Sequence, residues 1–338
     1  MFFLSDIQED VVNHSHYQVD QSTGHYENFL LRANHPTKSI AFWVKYSVFS
    51  PDNHPENAMG EVWAAYFDGE TCSHFVVKEE FPISQCRFDR NGFNISINEA
   101  QLNSGMFKGI GRHGDYILAW EMDYSGTDRP IFLLPKNLYH TSFPKAKSLV
   151  ALPMASFNGL LVVNSNEVFI SDWIGSQNHS WGVQYPDVFA WGQVAGFDNS
   201  PNTFLEIATA RLKVAPIWSP VLTFLVLRYQ GKDYCLNSMP QSIKAKGVFD
   251  YFQWRFSTED DQIKIEGTIW APKNYFIGFI SKNPTGDVKQ CLNTQLASCT
   301  LSVTLKENLS NRIKLETKHR AAFEIITDDK SHHIPMWA

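Results

Sequence analysis

From Ser39 to Thr327 the chain keeps returning to a spacing of two, and this repetition restricts its fold more than any other feature. In SIAFWVKYSVF, Ile40, Phe42, Val44, Tyr46 and Val48 fall on one side of an extended chain, and Ala41, Trp43, Lys45, Ser47 and Phe49 on the other. Both sides carry aromatics, so both are expected to be covered. NGFNISIN sets Phe93, Ile95 and Ile97 against Asn94, Ser96 and Asn98, the pattern of a half-buried strand. YILAWEMDY, VFDYFQWRFS and QIKIEGTIW alternate likewise, and each of the last two is read as a single strand. Turn clusters such as SPDNHPENAMG, Asp68-Gly69, Asn164-Ser165-Asn166 and Gly231-Lys232-Asp233 divide the chain into roughly fourteen to eighteen short strands. The one helical-looking piece lies near Cys291 to Ser298. Residues 1–36 read as an irregular lead-in, and Pro130 to Pro153, with four prolines, as a connection over the surface. No repeat of 20–50 residues is seen, which argues against propellers and solenoids. The fold class is therefore all-β.

At 338 residues the chain exceeds the usual size of one core, which favours two packed units. Its 25 Phe, 12 Tyr and 10 Trp against only 19% charged residues match aromatic-lined β proteins. A net charge of -6 offers no basic field for a phosphate backbone, so no nucleic-acid partner is expected. The longest apolar stretch, Pro220 to Leu227, is far shorter than the ~20 residues of a membrane helix. MFFLSDIQED has neither a basic start nor a long apolar run, so a cytoplasmic location is expected. The five cysteines include no C-x-x-C pair and read as reduced structural thiols.

One stretch is unlike the rest. FISDWIGSQNHSWGVQYPDVFAWGQVAGF, Phe169 to Phe197, threads Trp173, Trp181 and Trp191 between glycines, carboxylates and amides, including Gln184 and Gln193. Broad apolar rings alternating with hydrogen-bonding groups suit the wall of a partly wet cavity, although a plugged core would use the same rings. Gly109-x-Gly111-x-x-Gly114 has the spacing of a dinucleotide loop, but a strand follows it where a helix is needed. His14-x-His16 and His332-His333 lack a clustered third ligand, so no metal and no cofactor are expected. No G-x-S-x-G motif argues for acyl transfer.

GSQNHSWG, the following YPDVFAWGQVAGF, and NPTGDVKQCLNTQLASCTL, together with the early AFWVKYSVFSP to GEVWAAYFDGE block, resemble the lipocalin-like family of tocopherol cyclases and carotenoid 1,2-hydratases. The likeness runs from about residue 25 to 330. It implies two lipocalin-like antiparallel β-barrel domains, 1–170 and 171–338, with an apolar cavity near their contact. It also implies an isoprenoid or polyketide ligand and chemistry without metal or nucleotide.

Protonating an alkene and guiding water or an internal hydroxyl to the cation requires three things. They are a carboxylic acid kept neutral by its surroundings, aromatic faces worth ~1 to 2 kcal/mol each, and a polar guide. Asp172, between Ile170 and Trp173, is the first candidate acid, and a turn-capping role is its alternative. Glu61 is the second, and His179 is a candidate for orienting water. Trp43, Trp63, Trp173, Trp181, Gln184, Tyr185, Trp191 and Gln193 are the candidate ligand contacts. Two functions stay open: an acid-initiated hydratase or cyclase, and a non-catalytic carrier of a hydrophobic small molecule. Oligomeric state is not legible.

Overall fold

The computed structural model describes residues 12–214, 217–307 and 312–337. Among them lie two large antiparallel sheets, of twelve and ten strands, and a small ladder between Lys213–Val214 and Ile217–Trp218. The first sheet runs from Ser73–Pro82 through Met59–Asp68 and Ile40–Ser50 to His25–Asn34. It then jumps in sequence to Asn166–Gly182, Ala146–Val163, Tyr116–Ser125 and Met106–His113, ending in three short strands. Its outer strand Ser73–Pro82 curls back against Met106–His113, giving a nearly closed barrel. The second sheet repeats the plan. Its opening strand Val188–Phe197 pairs with its last, Arg312–Thr327, as His25–Asn34 pairs with Asn166–Gly182 in the first.

Alternation gives each barrel a filled interior. Phe29, Phe42, Tyr46, Phe107, Phe157 and Trp173 pack in the first, and Phe197, Trp254, Phe256, Ile265, Leu301 and Phe323 in the second. Each such burial is worth about 1.5–3 kcal/mol before chain entropy is subtracted. A third apolar cluster, with Trp43, Trp63, Phe67, Ile277, Leu296 and Ile326, draws on both sheets and holds them together. The chain passes from one sheet to the other through residues 183–187. The boundary expected at 170/171 falls inside the strand Asn166–Gly182, all of whose ladder partners lie in the first sheet.

Four local expectations differ from the structure. Residues 25–34, expected within the irregular lead-in, form a central strand buried on both sides; polar Asn28, Arg32 and Asn34 had masked its alternation. Residues 1–11 of that lead-in lie outside the described residues. The proline-bearing connection is no surface loop: Leu133, Leu134 and Tyr139 are buried, the amide of Leu134 donates to the Tyr139 hydroxyl at 3.2 Å, and residues 146–163 form one long strand. VFDYFQWRFS is a hairpin of Lys246–Phe249 and Gln253–Glu259, because Asp250-Tyr251-Phe252 turns. Cys291 to Ser298 lies within the strand Val288–Leu305, while the α-helix among the described residues is Met239–Lys244. Ladder shifts near Ala297 bring buried Thr294 and Gln295 into this strand and break its period of two.

Two glycines of the dinucleotide-like motif serve packing, and the third, Gly114, turns the chain with a φ of 57°. A Cβ on Gly109 would sit 2.7 Å from the Trp120 ring, and one on Gly111 2.8 Å from Val77. Gly175 is tighter still, since a Cβ there would meet the Arg32 carbonyl oxygen at 1.7 Å and the Ala33 Cα at 2.7 Å. Backbone cannot yield as a side-chain end can, so Gly175→Ala is expected to destabilise the protein by ~3 kcal/mol or more. The check is a fall in the urea midpoint with an unchanged slope.

Candidate functional site between the two sheets

The facing surfaces of the two sheets enclose a cavity of about 640 Å³. Alternation decides what enters it. Tyr26, Asn28 and Leu30 come from His25–Asn34, Trp43 and Lys45 from Ile40–Ser50, and Asn178 and Ser180 from Asn166–Gly182. The second sheet answers with Phe189, Trp191, Ala208, Phe224, Phe279, Asn293, Gln295, Glu324 and Ile326. Gln184 and Tyr185, in the link between the sheets, complete the wall.

The wall has two characters. Leu133, Leu134, Leu222, Phe224 and Met239 form an apolar cluster with Phe189. Elsewhere the polar groups converge. Asn293 Nδ2 donates to Glu324 Oε2 at 2.8 Å, while its Oδ1 accepts from the Trp43 indole at 3.1 Å. Asn28 Nδ2 donates to the Tyr185 hydroxyl at 3.1 Å, and Tyr185 stacks on Tyr26 at 3.8 Å. The Lys45 ammonium stands 4.4 Å from the Trp63 ring centre and 5.8 Å from that of Phe279.

Burial governs the charges. It pushes the Glu324 carboxyl above the usual carboxylate range, against the opposing pull of the Asn293 hydrogen bond, the Lys45 charge and the Cys291 thiol. Burial also lowers Lys45, while Glu61 and Glu324 act to keep it charged. The cavity thus holds a carboxyl group whose burial raises its pKa.

A second carboxyl lies behind the wall. Glu206 accepts from the Trp191 indole and from Gln193 Nε2, both at 2.8 Å. Gln193 Nε2 also donates to Asn178 Oδ1 at 2.7 Å, and its Oε1 accepts from Ser176 at 2.6 Å and Arg32 at 3.2 Å. Burial lifts Glu206 to about 7, opposed by those two donors and by Arg32. Burial in turn holds Arg32 down to about 10 despite the nearby Glu206.

The Glu206 shift has a testable sign. Its pKa rises on folding from 4.5 to about 7, so in that window the folded chain keeps a proton the unfolded chain has lost. Stability from this group is therefore complete below pH 4.5 and is lost as pH rises through 7, by an order of ~3 kcal/mol. Glu206→Gln is expected to flatten that decline. Urea unfolding of both proteins between pH ~5 and ~8 checks it, and parallel curves would refute it.

The sequence-selected residues divide by place. Trp43, Gln184, Tyr185 and Trp191 line the cavity. Gln193 is fully buried just behind it. Glu61 and Trp63 border a recess of about 40 Å³ that shares Tyr26, Asn28, Lys45 and Tyr185 with the cavity; there Glu61 accepts from the Trp63 indole at 2.9 Å and pairs with Lys78 at 2.9 Å. Trp173 packs in the first barrel core. His179 and Trp181 point to the other face of their strand, away from the cavity lining.

Asp172 also lies elsewhere. It is exposed, with φ of 50°, and its amide donates to Asn158 while its carboxylate accepts from Ser156 and Asn158. That is a backbone-shaping role at an irregular point in the ladder, near the shift between Phe157 and Gly159. Glu324, Lys45, Asn293 and Glu206 were missed. For Glu324, Lys45 and Glu206 the signal was a lone polar residue inside an otherwise apolar strand, as in AAFEII, FWVKY and FLEIA, whereas Asn293 sits in the polar run Asn293-Thr294-Gln295.

No family model matches the chain. Two uncharacterised Mycobacterium tuberculosis proteins, Rv0493c and MT0513, are each 24% identical over 190 residues, 53% of this chain and 54% of theirs. The chain thus spans about half the length of the curated relatives it matches. Among solved structures, a Nitrosomonas europaea protein named for AttH superposes with a TM-score of 0.54 at 10% identity, covering 90% of this chain and 92% of that one. Kievitone hydratase from Nectria haematococca gives 0.53 at 10% identity, covering 90% and 89%. CghA in complex with Sch210972 gives 0.50 at 11%, covering 90% and 88%. The chain shares the fold of these proteins. Among the described residues, no helix is long and apolar enough to cross a membrane.

Proposed function

We propose that this protein binds an extended apolar molecule carrying an oxygenated end, of the isoprenoid or polyketide class, and catalyses acid-initiated addition of water or ring closure. The observation that carries the reading is Glu324, a buried carboxyl group inside an aromatic-lined cavity, its pKa raised by that burial. Glu324 gives its proton to an alkene carbon, and the faces of Trp43, Trp191 and Phe279 stabilise the resulting cation. Asn293, which bonds Glu324, holds the carboxyl in place. Lys45, Asn28 and Tyr185 take the oxygenated end, leaving the tail among Leu134, Leu222 and Phe224. A hydratase among the proteins of this fold supports the reaction class.

A carrier role uses the same cavity and has one observation in its favour. The Lys45 cation opposes a positive charge forming close to it. One experiment separates the two. Geranylgeraniol is titrated while tryptophan fluorescence is followed, and the mixture is then analysed for a product heavier by one water or for a ring-closed isomer. Saturable quenching with product formation supports the enzyme, and saturable quenching without product supports the carrier. Quenching that is unaltered in the Trp43→Phe, Trp191→Phe double variant places the ligand outside this cavity.

A further inference from the structure

A second cluster of titratable side chains lies across the same two strands from the cavity. His25 and Glu27 are two residues apart and therefore share a face, opposite the one that carries Tyr26 and Asn28. On the neighbouring strand, Trp181 is the ladder partner of Glu27 and His179 that of Phe29, so His179 stands diagonally across from Glu27. His16 arrives from the segment before the first strand and stacks on Trp181 with ring centres 4.1 Å apart. One ligand atom each from His16, Glu27 and His179 lie within 4.8 Å of one another.

Donor bookkeeping singles this cluster out. His179 Nδ1 is 2.6 Å from the Val12 carbonyl oxygen and its Nε2 is 2.8 Å from Glu27 Oε1, with the side chains of His179 and Glu27 wholly buried. Both neighbours are acceptors, so the ring needs two protons, or one proton and a metal ion in place of the other. A histidine whose outer nitrogen donates to a backbone carbonyl has the orientation found in metal-ligating histidines. Glu27 Oε1 lies 2.8 Å from His179 Nε2 and its Oε2 lies 3.5 Å from His25 Nε2. It also accepts from Ser15 Oγ at 2.6 Å and from the His16 amide at 2.8 Å.

His25 supplies an independent indication. It is 5% exposed, and its Nε2 has no hydrogen-bond partner among the described residues while pointing at Glu27 Oε2 from 3.5 Å. A buried ring nitrogen with only a long carboxylate contact and no hydrogen bond is costly unless something takes it up.

We propose that His16, His25, Glu27 and His179 bind one divalent first-row transition ion of the zinc class. Three imidazoles and one carboxylate form a nitrogen-rich set suited to zinc, iron(II), cobalt(II) or nickel(II), and unsuited to calcium or magnesium. Bond lengths near 2.0–2.1 Å place tetrahedral ligand atoms ~3.3 Å apart. Among His16, Glu27 and His179 the spacings start at 2.8 Å and stay within 4.8 Å, bracketing that value, and His25 Nε2 stands 3.5 Å from Glu27 Oε2. His16 is exposed at the outer edge of the cluster, which gives an ion its way in. The bound ion ties the leading segment, through His16, to the barrel strands, a function separate from the chemistry of the cavity.

The test uses the full chain, stripped with a chelator and titrated with Co²⁺ by calorimetry and visible absorption. The expected result is one ion per chain, with bands of nitrogen and oxygen ligands and no thiolate charge-transfer band. Binding is expected to weaken at least tenfold in His16→Ala and in Glu27→Gln, and to be unchanged in His332→Ala/His333→Ala. His16 lies at the surface, so its variant decides the matter even where the buried Glu27 change disturbs folding. Absence of saturable binding, a thiolate band, or undiminished affinity in His16→Ala overturns the proposal in favour of a metal-free imidazolium–carboxylate pair.

Discussion

Replacing Glu324 by glutamine is expected to abolish product formation, a loss of order 10²–10⁴-fold in turnover, while the affinity for ligand stays within a few-fold. The amide keeps the size of the side chain, and its oxygen still accepts from Asn293 Nδ2, but it has no acidic proton to give. Asn293→Ala is expected to do less. It removes the group that orients Glu324 and frees the Trp43 indole, so it lowers turnover by roughly tenfold and shifts the alkaline limb of the pH profile upward, since the Asn293 hydrogen bond in the unaltered protein favours the ionised carboxylate. Wild-type rates in Glu324→Gln would remove this residue from the chemistry. Glu61, in the adjoining recess, would become the next carboxyl to test.

The second large effect concerns stability. Arg32 is fully buried and gathers acceptors from both sheets: Asn34 Oδ1 in the first, and Gln295 Oε1, Gln193 Oε1 and the Arg320 carbonyl in the second. Arg32→Met fills most of the volume but leaves those acceptors without their donor and Glu206 without its nearby cation. The expected cost is about 3–5 kcal/mol, read as a lower urea midpoint. Pairing it with Glu206→Gln should recover part of that loss, because the uncompensated carboxylate is then gone. A cost below ~1 kcal/mol would mean that the apolar cluster around Trp43 and Leu296, rather than this polar network, joins the sheets.

The repeated period of two was enough to read the all-β class, and the resemblance supplied a two-barrel arrangement. Strands such as Ile40–Ser50 and Tyr116–Ser125 were legible because one face is apolar and their ends carry turn residues. His25–Asn34 was not, because its polar members face another sheet instead of water, and a sequence does not say which kind of covering a face receives. The same ambiguity shaped the site. The aromatic stretch did supply Gln184, Tyr185 and Trp191 to the cavity, but alternation sent His179 and Trp181 to the opposite face of the strand that presents Asn178 and Ser180. Lys45 and Glu324 look like ordinary interruptions of apolar strands until the facing sheets bring them to one cavity across more than a hundred residues of chain, with Glu206 behind its wall.

The passage between the sheets, residues 183–187, is short and is itself part of the chamber, contributing Gln184, Tyr185, Pro186 and Asp187 to its surface. Joint and container are thus the same piece of polypeptide. A substitution or insertion in this joint therefore alters the wall of the space beside Tyr185 together with the connection between the sheets.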